Sequence, residues 1–128
     1  MKNELKTIRN KDLMAAYYKY MKDNPGCLKR MSIVSFVDRI INGGAPRFYI
    51  SERKALQIVS DIRRGTLNRK NTENLRMCYD LYNVYLEKEK EMKGCYKYAI
   101  AEEAVNSPAP SFYIKPQRAI DIIWGVDL

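Results

Sequence analysis

The sequence contains no histidine. That absence removes the usual general base near neutral pH, the commonest metal ligand, and the Ser-His and Cys-His nucleophile pairs. Cysteine is scarce: Cys27, Cys78 and Cys95 are an odd set with no Cys-x-x-Cys, which argues against a disulfide framework and a zinc site. We expect reduced thiols packed as small apolar groups. No apolar run approaches the roughly 18 residues of a membrane span, and residues 1–6 lack the apolar stretch of a signal peptide. A soluble, intracellular, cytoplasmic protein without membrane partners is the expectation. Gly43-Gly44 is not followed by the Gly-Lys-Ser/Thr of a phosphate loop. Glu102 and Glu103 are adjacent, so on a helix they diverge, and neither Asp38 nor Asp61 has a recognisable partner. These absences predict no catalytic residue, no cofactor and no metal, hence a non-enzymatic protein.

Acidic residues are few in one part of the chain. The net charge is +8 over 128 residues, with +10 carried by residues 1–70 and −2 by residues 71–128. A basic half beside a near-neutral half points to a division of labour and to an acidic partner for the first.

The most informative feature present is a repeated phrase. Residues 45–59 return as residues 109–123 with seven of fifteen positions identical, among them Ala-Pro-x-Phe-Tyr-Ile. Upstream, Leu13 and Tyr17 align with Leu75 and Tyr79 at an offset of 62, against 64 at the motif. A two-residue insertion in the second copy reconciles the offsets. We read two units, a basic three-helix repeat over residues 1–66 and a near-neutral one over 67–128, packed together as one compact domain.

The spacing of apolar residues predicts six helices and an all-α fold. The first covers residues 12–22, with Leu13, Tyr17, Tyr20 and Met21 on one face. The second covers residues 28–41 and closes at Asn42-Gly43-Gly44, residues that accept a left-handed C-cap. Ser51 caps the third, which runs to about Arg64 with Ala55, Leu56, Val59 and Ile62 inward. Residues 65–71 form a polar linker. The fourth starts after Asn71 or Thr72 and runs to about Met92, with Leu75, Cys78, Tyr79, Tyr82 and Tyr85 as its apolar stripe. The fifth spans residues 95–105. The sixth opens at Lys115-Pro116, with proline where a missing N–H costs little, and ends near Trp124. Residues 48–50 and 112–114 are short extended stretches that can pair only with each other. Because Phe48, Tyr49, Phe112 and Tyr113 occur in both halves, we assign them to scaffold that plugs the gap between the second and third helices. The tyrosines are expected mostly on core stripes with their hydroxyls reaching solvent.

The third helix is the candidate functional element. Its outward face carries Arg53, Gln57, Ser60 and Arg64 at i, i+4, i+7 and i+11, and Arg and Gln are the side chains that read guanine and adenine edges. Arg53, Gln57 and Arg64 are assigned base contacts. Arg47, Lys54 and Arg63 are assigned phosphate contacts, with Lys29 and Arg30 at the start of the second helix as further phosphate ligands. The matching outward positions of the second half, Gln117, Asp121 and Trp124, suit a protein partner or a second copy of the chain.

Two helices, a turn and a third basic helix resemble the helix-turn-helix class. The phrase Asn-Ser-Pro-Ala-Pro-Ser-Phe-Tyr-Ile at residues 106–114 is similar to small proteins of Bacteroides-type phages and mobile elements. The resemblance implies a DNA-binding protein of a phage or mobile element that places its third helix on duplex DNA, with RNA not excluded. The segment from residue 42 to 50 is nine residues long, where a helix-turn-helix uses three or four. That difference leaves room for the alternative, a phage structural or assembly protein that binds an acidic protein partner.

Overall fold

The computed structural model describes residues 3–125. It is all-helical: α1 (Asn3–Asp23), α2 (Ile33–Ile41), α3 (Glu52–Arg64), α4 (Thr72–Glu91), α5 (Lys97–Val105) and α6 (Pro116–Ile123), with a short 3-10 turn at Cys27–Lys29. Among the described residues no helix is long and apolar enough to cross a membrane.

Local chemistry explains most boundaries. The Ser51 hydroxyl accepts the Lys54 N–H at 3.1 Å and starts α3, and Gly65 ends it at φ 70°, a left-handed cap that glycine adopts without strain. Asn71 accepts the N–H groups of Glu73 and Asn74 and starts α4. Two boundaries differ from the sequence reading. Helix α1 begins at Asn3 rather than near residue 12, because residues 3–11 hold no Gly or Pro and consist largely of good helix formers. Helix α2 begins at Ile33 rather than 28, since Ser32 accepts the Ser35 N–H at 3.1 Å and nucleates a fresh helix.

The helices do not group by sequence half. Helices α1 and α2 pack together with α6, while α4 and α5 pack together with α3. Each bundle thus takes its third helix from the other half of the chain. The two connectors cross between the bundles. There Ala45 N–H donates to the Ala109 carbonyl at 2.8 Å, and Ala109 N–H donates back at 2.9 Å. Phe48 N–H donates to Val105 at 2.8 Å and Phe112 N–H to Ile41 at 3.0 Å. These are like contacts between like residues, exchanged between the halves.

Side chains continue the exchange. Tyr49 stacks on Phe112 at 5.8 Å, and Phe48 on Tyr113 at 6.1 Å. The expected pairing of residues 48–50 with 112–114 is replaced by this stacking. The backbone bridge lies earlier, at Ala45 and Ala109. Phe48, Tyr49 and Phe112 are buried, in keeping with their assignment to scaffold. Burying each large apolar side chain stabilises by about 1.5–3 kcal/mol.

The structure also resets the upstream alignment. The Tyr49 hydroxyl donates to Asp12 at 2.8 Å, and the Tyr113 hydroxyl to Asp80 at 2.6 Å. Asp12-Leu13 therefore corresponds to Asp80-Leu81, and both leucines are fully buried. Leu75 and Tyr79, assigned to the apolar stripe of α4, are exposed, and Met77 and Leu81 take the buried positions. The error has a simple source: Leu-x-x-x-Tyr occurs at residues 75–79 and again at 81–85. With the corrected register, 33 positions separate Asp12 from Ala45 and 29 separate Asp80 from Ala109. The longer chain is in the first half, where it makes the 3-10 turn.

Candidate nucleic-acid interface

Helix α3 buries Ala55, Ile58 and Val59 and leaves Arg53, Gln57 and Arg64 on its outer side, with Ser60 half-buried. The buried residues lock the rotation of the helix, so the outer residues have a fixed direction. The predicted face is therefore present, but it is not a bare cationic ridge. Asp61 lies within it. Its carboxylate accepts the Gln57 amide at 2.9 Å and the Arg64 guanidinium at 3.1 Å. Gln57, foremost, holds the Asp61 carboxyl below its ordinary range; burial opposes this, and Arg64 and Thr66 add to it. Two of the three assigned base-contact side chains are thus held by an ionised carboxylate.

The outer face of α3 is also the floor of a groove. Ser51, Glu52, Arg53, Leu56, Gln57 and Ser60 line an open concavity of about 500 Å³ whose far wall is Tyr98 of α5. The Tyr98 hydroxyl reaches the Glu52 carboxylate at 3.5 Å. Packing of α5 on α3 builds this wall, and that packing is itself a product of the exchange between halves. A helix-turn-helix projects its recognition helix from the surface, whereas α3 is flanked.

The other assigned cations separate. Lys54 turns to the opposite flank of α3. There it lines a cleft of about 490 Å³ with Leu5, Tyr49, Ile58, Met77 and Arg69 of the linker. Behind it lies the buried Cys78 thiol, pushed up by burial and partly drawn back by Arg69 and Lys54. Arg63 points to α4: it pairs with Glu89 at 2.8 Å and lies over the rings of Tyr82 and Tyr85 at 5.8 and 5.6 Å. Arg47 donates to the carbonyl of Phe48 at 3.0 Å and toward that of Ile50 at 3.5 Å, bracing its own connector. Lys29 and Arg30 are exposed, but the turn that carries Lys29 packs on α2, in the bundle that does not contain α3.

In the second half, Gln117 donates to Asp121 at 3.1 Å on α6. Trp124 is exposed and meets Tyr17 edge-on at 5.7 Å, beside the exposed Tyr18. The three cysteines are free thiols, yet only Cys78 is packed in the core, and Cys95 is exposed. Likewise Tyr18, Tyr79, Tyr96 and Tyr98 lie largely outside the core stripes assigned to tyrosine.

Arg69 and Tyr98 were not singled out by the sequence reading. Arg69 sits in the linker as half of an Arg-Lys pair, a signal that was visible. Tyr98 belongs to Tyr96-Lys97-Tyr98, an aromatic–cation–aromatic run that opens α5. No group of three or more His, Cys, Asp and Glu that could hold a metal occurs among the described residues. Comparison of the chain with protein-family models, with curated proteins and with solved structures gives no match.

Proposed function

We propose that this chain is a non-enzymatic nucleic-acid-binding protein, in keeping with the resemblance to phage and mobile-element proteins, and that it engages DNA through the basic surface around α3. The observation that carries the reading is a set of five cations along and just after α3: Arg53 and Arg64 on its outer side, Lys54 and Arg69 on the opposite flank, and Lys70 in the linker that follows. Of these five, only Arg64 has an ion-pair partner among the described residues. Phosphate neutralisation by such a surface drives association and makes it strongly salt-dependent. Arg53 and Arg64 meet the strand, Lys54 and Arg69 flank it, and Arg47 and Arg63 support the fold.

The test is titration of a fluorescent duplex with the protein at several salt concentrations, beside an Arg53→Ala/Arg64→Ala variant. Sub-micromolar binding with a steep salt slope that flattens in the variant is the expected result. Absence of binding to the duplex and to a single strand of the same sequence at about 50 mM salt, where even non-specific association is strong, removes the reading.

A second reading has its own observation. The exposed Trp124 and Tyr18, joined through Tyr17, form an aromatic patch away from α3. Aromatic residues of this kind anchor protein interfaces. A role as a phage assembly or interaction protein, with a protein partner or a second copy on this patch, follows from it.

A further inference from the structure

The groove beside α3 has more structure than a site for backbone phosphates requires. One wall is the α3 face with Arg53, Gln57 and Ser60, and the other is the ring of Tyr98. Tyr98 is 55% exposed and Tyr96, two residues before it, is 89% exposed. Lys97 between them is exposed as well. Aromatic rings left in water next to cations and amide or hydroxyl donors form the surface on which unpaired bases stack while phosphates are neutralised. A duplex hides its base faces and cannot use such a ring. Gln57 and Ser60 line the facing wall as polar side chains, the Gln57 amide also donating to Asp61.

We infer that the groove between α3 and the start of α5 holds single-stranded nucleic acid, with a base stacked on Tyr98 and the adjoining phosphates met by Arg53 and Lys97. The inference rests on the nucleic-acid reading given above and narrows its ligand. The Tyr98 hydroxyl lies 3.5 Å from the Glu52 carboxylate, a long contact within the groove lining. The exposed ring stands apart from the packing core.

Fluorescence anisotropy with labelled (dT)12, an abasic strand of equal length and a 12-base-pair duplex tests this, using the full chain and its Tyr98→Ala, Tyr98→Leu and Tyr98→Phe variants. The protein is expected to bind (dT)12 at least about tenfold tighter than the abasic strand, the scale of one stacked base. Tyr98→Ala and Tyr98→Leu should each lose about that factor on (dT)12 while affinity for the abasic strand stays within about twofold. Tyr98→Phe, which keeps the ring, should retain binding. The leucine variant keeps the side-chain bulk and decides the matter if the alanine variant melts early. Equal affinity for (dT)12 and the abasic strand overturns the inference, as does (dT)12 binding that the leucine variant retains in full. Duplex binding without (dT)12 binding overturns it while leaving the nucleic-acid reading intact. Failure of every strand to bind, with capture of polyglutamate instead, overturns both in favour of an acidic protein partner.

Discussion

The Tyr49 hydroxyl donates to the Asp12 carboxylate at 2.8 Å, tying the connector before α3 to the helix that opens the chain. Tyr113 and Asp80 repeat the arrangement at 2.6 Å. Burial first, and the bond to the carboxylate second, push both phenols above their ordinary value of 10. A raised folded-state value means the folded protein holds the phenolic proton more tightly than the unfolded chain. The resulting stabilisation is complete below about pH 10 and is lost as pH rises toward the folded value. The midpoint of urea unfolding should therefore fall above about pH 10, and less steeply in a Tyr49→Phe/Tyr113→Phe variant. Near pH 7 each single variant should cost about 1–2 kcal/mol through the lost hydrogen bond to a charged acceptor. Equal alkaline limbs in both proteins would show that these phenols do not couple ionisation to folding.

The exchange of third helices sets a second expectation. Helix α3 is buried against α4 and α5, and α6 against α1 and α2. A fragment of residues 1–66 keeps α3 but loses its partners, and a fragment of residues 67–128 loses the bundle that receives α6. Each fragment alone should show little helical circular dichroism, and an equimolar mixture should recover the spectrum of the whole chain. Two fragments that each fold and melt cooperatively would contradict the packing. By the same logic Phe48→Ala and Phe112→Ala should both be costly, by about 3–5 kcal/mol each.

Much of this fold was legible because its signals are local. Ser51 caps α3 as its sequence position suggests, Asn71 is the one of the two candidates, Asn71 and Thr72, that caps α4, and Pro116 stands at the first position of α6. The candidate face of α3 followed from one buried stripe at helical spacing. What could not be read was partnership. Periodicity points to Ala55, Leu56, Val59 and Ile62 as the inward side of α3; Ala55 and Val59 are buried, but Ile58 is buried where Leu56 and Ile62 are only half so, and no residue carries a label saying that α3 meets α5 rather than α2. The groove wall at Tyr98 was hidden for that reason, since it exists only once α5 lies beside α3. The α4 stripe holds at Cys78, Tyr82 and Tyr85 but not at Leu75 and Tyr79, because apolar side chains surround much of that helix and Leu75 and Leu81 fit the same spacing.

Arg63 separates the sequence expectation from the structure. As a phosphate ligand it would weaken DNA binding when removed. Its pairing with Glu89 and its position over Tyr82 and Tyr85 instead predict a modest loss of stability. The pair is about two-fifths exposed on both sides, so solvent screening limits the cost of Arg63→Ala to about 0.5–1 kcal/mol. Thermal melting should register that drop while duplex affinity changes less than twofold by anisotropy. A large loss of affinity with an unchanged melting temperature would return Arg63 to the interface.

Asp61 gives the sharpest test of which way α3 faces its ligand. Its carboxylate lies between Gln57 and Arg64, so a bound phosphate backbone meets a like charge at the centre of the basic face. Asp61→Asn removes that charge, leaves an amide oxygen to accept from Gln57, and releases Arg64 from its ion pair. Nucleic-acid affinity at low salt should rise, by about threefold for one charge at groove distance, and the gain should shrink as salt screens it. The pH dependence has a definite sign. Because its partners hold Asp61 below the ordinary carboxylate range, the group stays ionised as pH falls from 7 to about 5, and the advantage of the variant should stay constant over that window. Affinity that is unchanged or weaker in Asp61→Asn would mean that this side of α3 does not meet nucleic acid, and the cleft between Lys54 and Arg69 on its other flank would become the place to look.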